Sequence, residues 1–231
     1  MRFADKQRSR ASAGNVLLLV AKAPVAGRVK TRLASANGFG EQRVLQLASA
    51  FLADTGTLLS HPLLPARVVV ALDGDPAALP APLQSFPTIP QGDGDLGERL
   101  TRLFAAQFAL PDTRAVCAIG SDTPHLPLAF LVEAFSRLAS PDTDAVWGPT
   151  DDGGYYLVGM NRMVPELFAD IPWSSPDVLT VSRERARSAG VRAALLPPWY
   201  DIDTPADLLK LRHDIDRKTV TAAGTDAVLR L

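Results

Sequence analysis

Two adjacent stretches decide the fold, Val16-Leu-Leu-Leu-Val-Ala21 and Lys22-Ala-Pro-Val-Ala-Gly-Arg-Val-Lys-Thr-Arg-Leu33. The first is a short apolar run with the length and composition of a buried β-strand. The second is a loop that contains four cations and one glycine. A strand that leads directly into a basic, glycine-containing loop is a common way for α/β proteins to bind phosphate. We therefore expect an α/β protein with a phosphate site after its first strand.

The rest of the chain alternates apolar runs with helical patterns. This order predicts an α/β fold, a Rossmann-like three-layer sandwich with a mostly parallel central sheet. Ligands of such sheets bind beyond the carboxyl ends of the strands, which is where the polar motifs of this chain fall. The predicted strands cover 16–21, 67–72, 115–119, 145–147, 155–159 and 192–196; the predicted helices cover 41–60, 96–108, 128–138, 178–189 and 204–212; and the proline- and glycine-rich segment 73–95 is predicted to be a long irregular connection.

Length and composition limit the class of protein. A chain of 231 residues suits one α/β domain. Its net charge of −1 gives no reason to expect a nucleic-acid partner, so any anion site must be local. The single cysteine, Cys117, excludes an internal disulfide, and its apolar neighbours predict a buried strand residue.

The first residues are polar and basic, and we expect 1–14 to be a disordered tail. The apolar run that follows is too short for a secretory signal or a membrane span. We therefore expect a cytoplasmic protein without a membrane partner. The sequence does not predict an oligomeric state.

The basic loop supplies the first candidate site. Arg28, Lys30 and Arg32 alternate, so an extended backbone would place them on one face. Gly27 would allow a close approach of the backbone to a ligand. A solvated surface loop is the alternative. The loop is not a Walker A motif, because Val29 stands where that motif needs glycine.

Two acidic segments could hold a cation. Asp122 follows the strand 115–119 within Gly-Ser-Asp-Thr-Pro, and a carboxylate that faces phosphates suggests Mg²⁺. Asp201 and Asp203 flank one apolar residue, so both would point the same way in an extended chain. Each of these segments could instead be a helix cap. The Asp-x-Asp pattern also resembles the nucleophile motif of haloacid-dehalogenase-like phosphatases, but that motif should follow the first strand.

Two glycine-containing turns complete the candidates. The segment 149–156 contains Asp151, Asp152, Gly153 and Gly154 beside two tyrosines, and one of its carboxylates could be a general base or a further metal ligand. A hairpin turn is the alternative. The segment 91–100 places three glycines before a helix, which could face a nucleotide or be a plain loop. The histidine and cysteine spacing does not support a zinc site.

Together the motifs resemble the bacterial DUF2064 family. The resemblance runs from about residue 15 to 212, which we take as the catalytic domain, and it leaves 213–231 as a C-terminal extension. It is carried by five ordered motifs: Lys22-Ala-Pro-x-x-Gly-x-x-Lys-Thr-Arg-Leu33, Gly94-Asp-Leu-Gly-Glu-Arg99, Ile119-Gly-Ser-Asp-Thr-Pro124, Gly148-Pro-x-x-Asp-Gly-Gly-Tyr-Tyr156 and Tyr200-Asp-Ile-Asp-Thr-Pro205.

That family belongs to the nucleotide-diphospho-sugar transferase superfamily, so the resemblance implies a GT-A-like fold related to the phospholactate and molybdenum-cofactor guanylyltransferases. It implies that Asp122 and a later acidic residue, Asp203 or alternatively Asp201, hold Mg²⁺ or Mn²⁺. One departure is that the first loop is basic and has one glycine, whereas the sugar-nucleotide synthases often have a glycine-rich loop. The implied donor-binding residues are Lys22, Gly27, Arg28, Lys30 and Arg32 in the basic loop, Gly94, Asp95, Gly97 and Arg99 near base and ribose, and Gly153 and Gly154 in the later turn.

The sequence therefore favours a Mg²⁺-dependent transferase with a nucleotide donor and a small-molecule acceptor. Three closely spaced cations match a triphosphate better than a diphosphate, which favours nucleotidyl transfer to a phosphorylated acceptor with release of pyrophosphate. Lys30 and Arg28 would then neutralise developing charge. The alternative is a glycosyltransferase with a sugar-nucleotide donor, in which Asp152 is a candidate base. A non-catalytic nucleotide-binding module is the remote alternative.

Overall fold

The computed structural model of the protein describes residues 14–34 and 40–231. Within these residues, seven strands form one sheet in the order β3-β2-β1-β4-β6-β5-β7. The strands are β1 (Asn15–Lys22), β2 (Arg67–Asp73), β3 (Thr88–Pro90), β4 (Ala115–Ile119), β5 (Ala145–Pro149), β6 (Tyr155–Met160) and β7 (Ala193–Leu195).

The sheet is mostly parallel, as the sequence predicts. Strand β1 pairs in parallel with β2 on one side and with β4 on the other. Strand β6 is the exception, since it runs antiparallel to both β4 and β5. The central strands are continuous apolar runs because both of their faces are covered.

Helices cover the two faces of the sheet and make the predicted three layers. One buried core joins alternate β1 residues such as Leu17 to Leu52 and Leu131, and the opposite core joins Leu18 to Phe104. The helices are α1 (Thr31–Ala34), α2 (Glu41–Leu59), α3 (Ala81–Gln84), α4 (Leu96–Phe108), α5 (Leu128–Leu138), α6 (Val178–Ser188), α7 (Pro205–Asp216) and α8 (Ala223–Leu229), and the short 3₁₀ helices are Pro76–Ala78 and Pro165–Phe168.

The expectation of a wholly irregular connection over 73–95 is wrong. That segment contains a 3₁₀ turn, the short helix α3 and the edge strand β3. Strand β3 is three residues long and ends on Pro90, which has no N–H to donate, so period-2 patterning gives almost no signal there. An edge strand tolerates that proline because one of its sides needs no partner.

The topology places a ligand crevice above β1 and β4. The chain builds β1, β2 and β3 outward in one direction and then returns to place β4 on the other side of β1. The loops that follow β1 and β4 therefore diverge, and the resulting crevice is the usual ligand position in sheets of this type. Lys22 ends β1 and Asp122 follows β4, so both candidate loops lie at this point.

The C-terminal segment is attached to the domain by side-chain contacts. Helix α7 begins with a capping box between Thr204 and Asp207 and continues beyond residue 212, where the predicted helix ends. The Asp54 carboxylate in α2 accepts hydrogen bonds from the backbone N–H groups of Gly224 and Thr225 at 2.8 Å, which caps α8. Among the described residues, no helix combines the length and apolar character that crossing a membrane requires. The predicted tail lies outside the described residues except for Gly14.

Candidate active site

The crevice is a polar cleft of about 880 Å³ at the carboxyl edge of the sheet. It is bounded by the loops that follow β1 and β4, the start of α4, the turn between β5 and β6, the segment before α6 and the segment before α7. Ten of the residues proposed from sequence line it: Lys22, Arg28, Lys30, Arg32, Arg99, Asp122, Asp152, Gly154, Asp201 and Asp203.

Lys30 is the centre of the cleft's charge network. Its Nζ lies 2.7 Å from Asp122 Oδ1 and 2.8 Å from Asp203 Oδ1, and it donates to the Ile202 carbonyl at 2.6 Å. Its side chain is only 8% exposed, so the ammonium is held away from bulk water. The fold therefore joins the basic loop to both acidic segments, although 173 residues separate Lys30 from Asp203.

The basic loop is not extended as expected, although Arg28, Lys30 and Arg32 all line the same cleft. Gly27 and Lys30 both have a positive φ, of 73° and 49°, and a helical turn starts at Thr31. These turns point Lys30 inward, while the Arg28 and Arg32 side chains remain 63% and 75% exposed at the rim. A left-handed conformation is costly for a lysine and is maintained here by its three acceptors.

The surroundings favour the charged form of Lys30 and disfavour the charged form of Asp201. Burial disfavours the Lys30 ammonium, but Asp122 and Asp203 outweigh burial and raise its pKa. Burial, together with repulsion from Asp122, Asp152 and Asp203, raises the pKa of Asp201 to about 7. Lys30 is the buried cation among these carboxylates, and Arg32 approaches Asp203 from the rim at 3.8 Å.

The donor set fits a hard divalent cation. Asp122 and Asp203 already direct one oxygen each at a common cation, the Lys30 ammonium, within 2.8 Å. Mg²⁺ prefers carboxylate oxygens and commonly uses one or two of them together with phosphate oxygens and water. Across the described residues, no cluster of three or more aspartate, glutamate, histidine or cysteine side chains forms a complete protein cage for a metal.

The end of β2 adds contacts that sequence reasoning missed. Arg28 and Arg99 both approach Asp73, at 3.8 and 4.0 Å. Buried Gln91 donates from Nε2 to the carbonyls of Ala21 and Ala71, so its amide joins β1 and β2 below the cleft. The sequence shows an aspartate, Asp73, after the second strand and a glutamine, Gln91, before a glycine. It does not show which residues these two side chains contact.

The turn that precedes α4 has a local structural role. Asp95 is the N-cap of α4, and it exchanges capping-box hydrogen bonds of 2.9 Å with Glu98. Gly94 has a φ of +98° within this turn, and Arg99 donates from Nε to its carbonyl. Asp95 and Gly97 line a separate, more open cavity rather than the main cleft, whereas Arg99 lines the cleft.

Hydrogen bonds within the turn between β5 and β6 stabilise its conformation. Asp152 Oδ1 accepts from Thr150 Oγ1 at 2.6 Å and from the Gly154 N–H at 3.0 Å, so one of its oxygens is already occupied. Gly153 has a φ of +88°, and a side chain there would collide with the Pro176 carbonyl. Asp151 is exposed and approaches Lys210 at 3.7 Å.

The segment before α6 is a cleft wall that sequence reasoning missed. It contributes Trp173, Ser174, Ser175 and Pro176, next to Tyr155 from β6. A tryptophan between two prolines in a polar segment was the available signal in the sequence. By contrast, Cys117 is fully buried as predicted, and burial raises the pKa of its thiol.

Comparison with known proteins supports this assignment of fold. The family model described as an uncharacterized protein conserved in bacteria (DUF2064) matches residues 54–175. A search of curated proteins finds no match. The structure resembles a candidate nucleotide-diphospho-sugar transferase from Desulfovibrio desulfuricans G20, with a TM-score of 0.82 and 29% identity over 94% of both chains.

More distant structures share the fold alone. They include 4-diphosphocytidyl-2C-methyl-D-erythritol synthase from Anaerococcus prevotii DSM 20548, with a TM-score of 0.56 and 11% identity over 90% of this chain and 99% of that one. A CMP:2-keto-3-deoxy-manno-octonic acid synthetase complexed with CTP has a TM-score of 0.52 and 14% identity over 88% and 99%. This is the fold of nucleotidyltransferases and GT-A-like glycosyltransferases. The family model covers more than half of the chain, and the chain belongs to the DUF2064 family.

Proposed function

We propose that the protein is a Mg²⁺-dependent transferase that uses a nucleotide donor and transfers a nucleotidyl group to a phosphorylated small-molecule acceptor. The observation that carries this proposal is the buried Lys30 ammonium between Asp122 and Asp203. It places a cation and two metal-type ligands at one point of the cleft. The neighbouring relatives named as nucleotide-diphospho-sugar transferases and cytidylyltransferases support the same class of donor.

In this reaction, an oxygen of the acceptor phosphate attacks the α-phosphorus of a nucleoside triphosphate. The new P–O bond forms as the bond between the α-phosphorus and the α,β-bridging oxygen breaks, and pyrophosphate leaves with the electron pair. Lys30 lies at the cleft floor, where its ammonium would exchange one of its three present acceptors for an oxygen of the arriving phosphates. Arg28 and Arg32 at the rim add charge against the outer phosphates.

Asp122 and Asp203 would hold the divalent cation, and Asp201 is the alternative ligand. When bound, the cation would neutralise phosphate charge in the transition state. The grouping of carboxylates supports this role, since Asp122 and Asp203 converge on one point and Asp201 lines the same cleft. The chain's own contribution is to direct these carboxylates toward a common point.

Glycosyl transfer from a sugar nucleotide is the second candidate. It is favoured by the position of Asp152, whose carboxylate lines the cleft across from the basic loop and keeps one oxygen free of its own turn. The similarity to a candidate nucleotide-diphospho-sugar transferase also favours it. In that reaction Asp152 would accept a proton from an acceptor hydroxyl as the bond to the donor diphosphate breaks.

A thermal-stability panel distinguishes these functions. The protein is heated with Mg²⁺ and, separately, with each of ATP, GTP, CTP and UTP and with UDP-glucose and GDP-mannose. A ligand at 100 times its Kd adds about 2.7 kcal/mol of stability. Stabilisation by a triphosphate supports nucleotidyl transfer, stabilisation by a sugar nucleotide alone supports glycosyl transfer, and stabilisation by neither overturns both.

A further inference from the structure

The hydrogen-bonding capacity of the Lys30 ammonium is already used within the protein. An ammonium has three N–H donors. Here three oxygens accept from it: Asp122 Oδ1 at 2.7 Å, Asp203 Oδ1 at 2.8 Å and the Ile202 carbonyl at 2.6 Å. Its Nζ also lies over the buried Phe51 ring, 5.4 Å from the ring centroid. A phosphate oxygen that binds Lys30 must therefore displace one of these acceptors.

The same ammonium lies beside the position that a metal ion would take between Asp122 and Asp203. Mg²⁺ binds oxygen at about 2.0–2.1 Å, so an ion held by both Oδ1 atoms would lie within about 5 Å of Lys30 Nζ. Positive charges at this separation repel each other, and water screens a side chain that is only 8% exposed poorly. A divalent cation that arrives without a nucleotide therefore competes with Lys30 for the two carboxylates.

The backbones of the two aspartates are held by hydrogen bonds that do not involve Lys30. The Ile202 N–H donates to the Asp122 carbonyl at 2.9 Å, which joins the two acidic segments directly. The Asp203 N–H donates to Asp207 Oδ2 at 3.1 Å, at the start of α7. The side chains of Asp122 and Asp203 are 48% and 35% exposed, so both can be reached from the cleft. The pair should therefore stay in place, and accessible to a metal ion, when the ammonium turns to another partner.

We propose that Lys30 is an internal counter-ion that keeps Asp122 and Asp203 from binding a divalent cation until phosphate engages its ammonium. In the free protein, the ammonium neutralises the pair. When donor phosphates accept from Lys30, the carboxylates lose that partner and gain affinity for a metal ion. Nucleotide binding and metal binding are then coupled through Lys30, and by linkage each strengthens the other by the same factor. This inference rests on the proposed function, because that function supplies the phosphates.

The test is the binding of Mn²⁺ alone to the full-length protein, measured without nucleotide from the electron paramagnetic resonance signal of free Mn²⁺. Lys30→Gln removes the counter-ion. Arg32→Gln is the matched control, because it removes one positive charge that lies 3.8 Å from Asp203 but at the rim. We expect Lys30→Gln to bind Mn²⁺ about tenfold or more tightly than wild type, and Arg32→Gln to gain less than about threefold. Equal gains in the two variants, or no gain in Lys30→Gln, would overturn the proposal.

A comparison without any Lys30 substitution covers the case in which Lys30→Gln does not fold. Because Lys30 already occupies Asp122, we expect Asp122→Asn to bind bare Mn²⁺ within about threefold of wild type. A wild type that binds bare Mn²⁺ more tightly than that, relative to Asp122→Asn, would overturn the proposal. Where Lys30→Gln folds, adding Asp122→Asn to it should cancel the gain in Mn²⁺ affinity. A gain that survives in the double variant would contradict the assigned site.

Nucleotide titrations separate this inference from the proposed function. ATP, GTP, CTP and UTP are each added with Mg²⁺ to wild type and to Lys30→Gln. If wild type binds none of them, nucleotidyl transfer is overturned, whereas the Mn²⁺ comparison still decides the counter-ion role. If wild type binds one, Lys30→Gln should bind that nucleotide more weakly and bare Mn²⁺ more tightly, because the variant has lost both a phosphate contact and a counter-ion. A fall in both affinities would overturn the counter-ion role and leave the nucleotide site intact.

Discussion

Each edge of the sheet has a cluster that pairs a cationic side chain with carboxylates. Comparing the two clusters shows how a candidate binding site differs from a structural ion pair. At the far edge, the Asp144 carboxylate accepts from the backbone N–H, Nε and Nη2 of Arg192, at 2.9, 2.9 and 2.7 Å. That pair is balanced, and the Asp144 side chain is 9% exposed. In the cleft, one buried ammonium faces several carboxylates, and Lys30 adopts a left-handed conformation to do so.

The difference indicates what each cluster can still bind. The Asp144 carboxylate already accepts three hydrogen bonds from Arg192, and these contacts hold its pKa at about 2. In the cleft, by contrast, burial and then repulsion from neighbouring carboxylates raise the pKa of Asp201. We therefore expect changes at the far edge to reduce stability and changes in the cleft to reduce binding.

Asp122→Asn should have the largest effect on binding. The substitution removes one anionic oxygen from the proposed cation site but keeps a side chain of the same size. We expect Mn²⁺ affinity, measured by electron paramagnetic resonance with a bound nucleotide, to fall by about 100-fold or more. Asp144→Asn is the matched control, and equal losses in the two variants would remove the distinction between the clusters.

Asp144→Asn should have the largest effect on stability. It removes the charge that Arg192 pairs with, and we expect a loss of about 1–3 kcal/mol in the free energy of unfolding, measured with urea. Because the folded pKa lies below the usual value, this stability is complete above pH about 4 and disappears as the pH falls toward 2. A variant with wild-type stability at pH 7 would show that the pair is not structural.

Asp201→Asn should increase the stability of the folded protein, whereas Asp144→Asn should reduce it. The folded pKa of Asp201 is raised to about 7, so ionisation of this group costs stability as the pH rises from about 4 through 7. We expect the variant to be more stable than wild type by roughly 1–2 kcal/mol at pH 8 and equally stable at pH 4. Urea unfolding at the two pH values measures the difference. If Asp201→Asn were less stable than wild type at pH 8, the raised pKa of Asp201 would be contradicted.

Arg28→Ala and Arg32→Ala should have the smallest effects. Both side chains lie at the rim, where water and salt weaken their attraction for phosphate. We expect each to weaken nucleotide binding by roughly two- to fivefold in low salt, and by less as the salt concentration rises. A salt-independent loss would place these arginines deeper in the site than the structure does.

The sequence predicts the framework well because its signals are local. Helix α4 and strand β4 have the predicted bounds, since capping residues and continuous apolar runs mark them. Strand β3 was not predicted, because a strand of three residues that ends on a proline is too short to show alternating apolar and polar residues. Asp122 follows β4 directly, as the topology rule implies, whereas Asp203 reaches the cleft because the Ile202 N–H donates to the Asp122 carbonyl.

The site could be predicted only as a set of residues, because its geometry comes from contacts distant in sequence. Local pattern predicted Lys30 on the same face as its arginine neighbours, whereas pairing with Asp203 turns it inward. The position of Trp173 depends on the space left by Gly97, a contact across 76 residues that local sequence does not encode. The roles of Lys30, Asp122, Asp152, Asp201 and Asp203 remain predictions that the variants test.

The most direct test is calorimetric titration of nucleotides into Lys30→Gln and wild-type protein with Mg²⁺ present. Lys30→Gln removes the buried ammonium, and charge-assisted contacts of this kind are each worth about 1.5–3 kcal/mol. We expect at least one nucleotide to bind the wild type, Lys30→Gln to weaken that binding by roughly 10- to 150-fold, and Asp144→Asn to bind as wild type does. Undiminished affinity in Lys30→Gln would contradict the assignment of this cleft as a nucleotide-phosphate site.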